Sequence, residues 1–130
     1  MSKKALLILV VAMAAVLAVS GTALAKTYKI GVTVIVTHPA LESDQKGFEK
    51  AISEAGLEAE YDYQNAQGDM ANATTIAQKF KNDDLDLVHS IATPTSQAAV
   101  KVIKNHPIVY SSVTDPVDAG LVKTLSLIHI

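Results

Sequence analysis

Two hydrophobic rhythms alternate along this chain, and their alternation restricts the fold more than any single motif does. Thr27 to Thr37, Leu57 to Gln64, Leu85 to Ile91 and Ile108 to Val113 are short runs, apolar either continuously or at every second residue. That is how strands read. Between them, Leu41 to Ala55, Met70 to Asn82 and Ser96 to Lys104 carry apolar residues at helical spacing: Leu41, Phe48 and Ile52, then Ala73, Ile76, Ala77 and Phe80, then Ala99, Val102 and Ile103. Strands that alternate with helices pair in parallel, because each helix returns the chain to the end where the next strand must start. The expected fold is α/β, a parallel sheet with helices on both faces.

Local chemistry punctuates these segments. His38-Pro39 ends the first strand, since proline offers no ladder donor and restricts the residue before it. Gly56 suits the position after a helix end, and Asp69 suits an N-cap. The second strand alternates Ala59, Tyr61 and Tyr63 with Glu58, Glu60 and Asp62, so one of its faces is wet and it belongs toward the sheet edge. Asp83, Asp84 and Asp86 read as solvated turn residues, too few oxygens for a metal loop.

Ahead of the first strand stand Lys3 and Lys4, an apolar run from Ala5 to Val19, and Ala23-Leu24-Ala25. A basic start, an apolar run below the roughly 20 residues of a bilayer span, and a small-x-small site predict a cleavable secretory signal over residues 1–25. The 105 residues that follow hold 9 lysines, no arginine and 13 acidic residues, a net charge of −4. The lysines are scattered and no aromatic residues interleave with them, so a nucleic-acid partner is not expected. Without cysteine there is no disulfide, thiolate metal site, cysteine nucleophile or lipid-anchor residue. An exported, unlipidated chain of this kind is expected in the bacterial periplasm.

In open parallel sheets ligands bind outside the carboxyl ends of the strands. Those ends deliver Thr37 and His38, then Gln64 and Asn65, then Thr93, Thr95 and Ser96, then Thr114 and Asp115. The set is rich in hydroxyls and amides, with almost no cation. Hydroxyls beside a helix N-terminus suit a carboxylate, and Asp115 suits an ammonium, so a zwitterionic amino acid fits; a sugar fits the same groups nearly as well. The four histidines are dispersed, which argues against a metal site, and no phosphate loop, dinucleotide fingerprint or nucleophile turn is present. No catalytic set and no cofactor are predicted.

Several longer stretches, in order, point to a family. They are Lys29-Ile30-Gly31-Val32-Thr33, His38-Pro39-Ala40-Leu41, Asp62-Tyr63-Gln64-Asn65-Ala66-Gln67-Gly68-Asp69, Ala92-Thr93-Pro94-Thr95 and Thr114-Asp115-Pro116-Val117. From about Lys29 to Lys123 the chain resembles the substrate-binding proteins of bacterial ABC importers, in the branch with tryptophan- and tyrosine-type binding proteins. The resemblance implies the Rossmann-like N-terminal lobe of a type I periplasmic binding protein over residues 26–124, and no enzymatic activity. It further implies a small-molecule ligand, an amino acid and in this branch an aromatic one, held in an interlobe cleft and delivered to an inner-membrane ABC permease. The permease is the only link to the membrane. The cleft positions carry over to Thr37, His38, Gln64, Asn65, Thr93, Thr95, Ser96, Thr114 and Asp115, with Thr95 and Ser96 on the ligand carboxylate and Asp115 on its amino group. Residues 125–130 depart from the family pattern and read as an artefactual tail on a reading frame truncated after the first lobe. The alternatives within the same fold are a ligand-sensing domain of a signalling system and a sugar- or nucleoside-binding member.

Overall fold

A computed structural model describes residues 26–125; the expected signal segment and nearly all of the expected tail lie outside the described residues. Strands β1 (Thr27–Val34), β2 (Glu58–Asn65), β3 (Leu87–Ile91) and β4 (Ile108–Ser111) alternate with helices α1 (Pro39–Glu54), α2 (Met70–Asn82) and α3 (Thr93–Val102). The strands form one parallel sheet in the order β2-β1-β3-β4. The charged β2 lies at an edge, as its wet face requires, and β1, buried from Ile30 to Thr33, lies inside.

The two faces of the sheet build two cores. On one, α2 and α3 pack Ala73, Ile76, Ala77, Phe80, Ala98, Ala99 and Ile103 over Val88 of β3. On the other, α1 alone lays Leu41, Phe48 and Ile52 over Ile30, Val32 and Ile91. No residue of α1 is fully buried, because one helix cannot cover four strands.

Capping follows the local chemistry. Asp69 Oδ1 accepts from the Ala71 and Asn72 amides at 2.6 and 3.2 Å and starts α2. Gly56 takes φ +71° just past the end of α1. Asp86 is more than a solvated turn residue: its carboxylate accepts from the Lys29 amide at 3.0 Å and from Lys26 Nζ at 2.5 Å, which ties the start of β1 to the approach to β3.

Several boundaries differ from the expected ones, and two helix starts bear on the site. β1 stops at Val34 and α1 begins at Pro39, with His38 as its N-cap. Helix α3 begins at Thr93, three residues before the expected Ser96. Both starts place a proline in the first turn, where the missing N–H would have had no intrahelical partner.

Candidate functional site

All four strand ends point to one edge of the sheet, so the loops after them share that edge. After β1, the Thr37 hydroxyl accepts from Asn65 Nδ2 of β2 at 2.9 Å, joining two of the expected site residues directly. Asn65 Oδ1 in turn accepts from the Gln67 amide at 2.8 Å. This fixes the loop in which Gln67 and Gly68 both take positive φ. His38 Nδ1 accepts from the Ala40 amide at 3.2 Å, and the ring caps α1. Gln64 Nε2 donates to Asp62 Oδ1 at 2.6 Å.

Asp62 also receives Lys79 Nζ, which Asp83 shares at 2.7 Å. Burial by itself would raise the Asp62 carboxyl, but the bonds from Lys79 and Gln64 outweigh it and hold the group below the usual range.

A hollow of about 210 Å³ opens beside the β1 and β2 ends, under the first turns of α1. Val32, Val34, Val36 and Leu41 form its apolar walls, and its polar rim is Thr37, Glu42, Gln45, Gln64 and Asn65, with Tyr63 alongside. Three of the expected site residues, Thr37, Gln64 and Asn65, therefore meet here, while His38 stands at the head of α1. Tyr63 and Gln45 both donate to Glu49 Oε1 at 2.9 Å. Lost hydration, reinforced by that carboxylate, pushes the Tyr63 phenol up to about 12. Leu41, Glu42 and Gln45 were not expected as site residues. Their spacing on one helix face, directly after a strand end, was the available signal.

After β3, Thr95 and Ser96 lie inside the structure. Both are enclosed, at 1% and 0% exposure. The Thr95 hydroxyl donates to the Ile91 and Ala92 carbonyls at 2.6 and 3.0 Å. The Ser96 hydroxyl lies 2.8 Å from both the Ala92 carbonyl and Ser90 Oγ. Neither hydroxyl faces the strand-end edge, because the early start of α3 turns both side chains toward the sheet. Ala92 is the N-cap and makes no side-chain cap; it sits at φ 82°, ψ 157°, a region that residues other than glycine rarely enter. What the junction presents instead is Thr93, half-buried, and the first-turn amides of α3.

Asp115 is similarly committed. Its Oδ1 accepts from the Val117 and Asp118 amides at 2.9 and 3.0 Å and caps the turn that follows β4. The residue is exposed, as is Thr114, and neither lines the hollow. A second link crosses the face under α1. His89, 1% exposed, stacks on Phe48 with ring centroids 4.1 Å apart, and its Nε2 lies 2.8 Å from Ser111 Oγ. Ser112, at φ 53°, donates to Asp44 Oδ2 at 2.5 Å. The β4 end is thus held to α1 directly by Ser112 and Asp44, and indirectly through His89 of β3. Among the described residues no three His, Asp or Glu side chains converge as metal ligands would.

Comparison with known proteins agrees with this architecture. A tyrosine-binding protein of Clostridioides difficile is 45% identical over 104 residues, covering 77% of this chain and 30% of the relative. Among solved structures, a conserved domain protein of Vibrio cholerae superposes with a TM-score of 0.75 at 45% identity, covering 78% of this chain and 36% of that one. A ligand-free, open substrate-binding protein with adhesive properties from Clostridium difficile gives 0.73 at 47% identity, over 75% and 35%. An ABC domain of Streptococcus pneumoniae in complex with L-Trp gives 0.73 at 34% identity, over 77% and 35%. The chain thus spans about a third of the length of these relatives. The family model for ABC transporter substrate binding proteins matches residues 29–128, and the chain belongs to that family.

Proposed function

We propose that this chain supplies one face of an amino-acid site in a periplasmic receptor that serves an ABC importer, with an aromatic amino acid as the ligand. The observation that carries this reading is the strand-end edge itself. The Thr37–Asn65 pair, the His38 ring, Gln64 and the first turn of α3 all open onto the edge where parallel sheets bind ligands. Two relatives of this lobe are a tyrosine-binding protein and a protein in complex with L-Trp.

In this proposal the ligand carboxylate is received by Thr93 and by the first-turn amides of α3, which have no carbonyl a turn earlier to bond and stand at the positive end of the helix. Thr95 and Ser96 brace that turn from beneath. The ammonium goes to the free oxygen of Asp115, with Thr114 beside it. A second lobe closes over the ligand and the closed form is read by an inner-membrane permease. Export rests on residues 1–25.

Ligand-dependent thermal stabilisation tests the reading. At one hundred times Kd a ligand adds about 2.7 kcal/mol of stability, so L-tyrosine, L-tryptophan or L-phenylalanine is expected to raise Tm by several degrees. D-ribose and adenosine are expected to leave it unchanged. Stabilisation by the sugar or the nucleoside alone refutes the proposal.

A further inference from the structure

The hollow beside α1 has a size and a donor–acceptor balance that select an occupant. Its walls are aliphatic on the sheet side, from Val32, Val34 and Val36, and Leu41 of α1 closes them. An apolar cavity of about 150 Å³ accommodates a benzene ring, so the volume here, about 210 Å³, takes one ring with a small polar substituent.

One N–H of each of Gln45, Gln64 and Asn65 donates to Glu49, Asp62 and Thr37, and each amide keeps a second N–H. The Glu42 carboxylate and Gln45 Oε1 receive no donor from the described residues, and Glu42 is the rim's one charged group. These two side chains are three residues apart on α1 and so lie on one helix face. Aliphatic walls beside a carboxylate that no donor reaches suit a ring carrying a hydroxyl, and the carboxylate charge disfavours an anion.

Resting on the amino-acid reading above, we infer that this hollow is the side-chain subsite, that it takes a phenol ring, and that Glu42 and Gln45 accept the phenolic proton in a hydrogen bond. The carboxylate end of the ligand then lies toward α3, across the Thr37–Asn65 pair. Glu42 and Gln45 thereby become the residues that set preference among aromatic amino acids.

The test uses the full chain with labelled Val, Leu and Ile methyl groups, followed by NMR during titration with p-cresol, toluene and L-tyrosine. L-Tyrosine and p-cresol are expected to shift the Val34, Val36 and Leu41 methyls alike. One hydrogen bond makes p-cresol bind about fivefold or more tightly than toluene. The double variant Glu42→Met, Gln45→Met, at positions that are not fully buried, keeps the hollow's shape and is expected to bring that ratio to one while toluene still binds. Toluene binding shows that the variant has folded.

Equal affinity of the wild type for p-cresol and toluene overturns the assignment of the acceptors. L-Tyrosine that shifts the Thr93 and Thr95 amides but leaves the three methyls untouched overturns the subsite and leaves the receptor reading intact. Binding of p-cresol in the hollow with no amino acid bound anywhere overturns the receptor reading and leaves the phenol preference standing.

Discussion

Ser96→Ala separates a bracing role for this residue from a ligand-contacting one. The Ser96 side chain is fully enclosed, and its hydroxyl lies 2.8 Å from Ser90 Oγ and 2.8 Å from the Ala92 carbonyl. Ser90 is also 0% exposed and has no other side-chain partner among the described residues. Alanine removes one neutral hydrogen bond, worth about 1 kcal/mol, and strands the Ser90 hydroxyl, which adds about 1–3 kcal/mol. The better helix propensity of alanine returns roughly 0.5 kcal/mol. The net expected loss is about 1.5–3.5 kcal/mol, read as a lower midpoint in urea denaturation.

Ser90→Ala, Ser96→Ala removes both partners and is expected to cost less than the sum of the single variants, since a pair in contact couples by about 0.5–3 kcal/mol. Affinity for the amino-acid ligand is expected to stay within about twofold in either variant, because no hydroxyl is withdrawn from the strand-end edge. An unchanged urea midpoint together with a drop in affinity of more than about tenfold, the loss of a charge-assisted contact, would refute the bracing role and restore Ser96 as a ligand contact.

The sheet centre and the α1 face give two further expectations. A Cβ on Gly31 would stand 2.8 Å from Leu85 Cδ1 and 3.0 Å from two ring atoms of the enclosed Phe80, so Gly31→Ala should cost about 1–3 kcal/mol by overpacking. Adding Phe80→Leu should recover part of that loss, and strict additivity in a denaturant cycle would contradict the steric cause. Burial holds the His89 imidazole below its usual range, with the Asp44 and Glu49 carboxylates only partly opposing this. The unfolded chain takes up that proton near pH 6.5 and the folded chain takes it up only at lower pH. The stability contributed by His89 is therefore complete above about pH 6.5 and lost as pH falls from there through the folded value. His89→Leu should flatten the urea midpoint across that window, and an unaltered slope would assign the pH dependence to other groups.

The elements of this fold were legible because neighbouring segments differ in period and are separated by residues with one clear local use. Asp69 and Gly56 each do in the structure what their chemistry allows, and the charged alternation of β2 placed it at an edge. The site was legible only as a set of loops. Thr37 and Asn65 are 28 positions apart, and their contact depends on the register that sets Val34 beside Asn65. Residue types at strand ends do not specify a register of that kind. Glu42 read as one more residue on the polar faces of its helix, since helical spacing alone does not connect it with a hollow formed by two strands.

The misplaced hydroxyls of α3 had a more specific cause. Pro94 reads as a loop residue, yet at the second position of a helix it loses nothing, because its absent N–H has no acceptor there. Starting the helix three residues earlier moves Thr95 and Ser96 from the exposed junction to the inner side of the first turn. There they have a task that their types alone do not announce. The Ala92 carbonyl accepts from the Ser96 amide at 3.2 Å, the Ser96 hydroxyl at 2.8 Å and the Thr95 hydroxyl at 3.0 Å. Ala92 occupies a backbone region that costs a non-glycine residue about 1–3 kcal/mol, and the hydroxyl bonds to its carbonyl offset part of that cost. Ala92 bends the chain sharply out of β3, and the bend brings the α3 N-terminus to the sheet edge. The residues that a sequence reading assigns to the ligand thus hold the first turn of α3 in place, which accounts for hydroxyls at these positions even though neither one faces the strand-end edge.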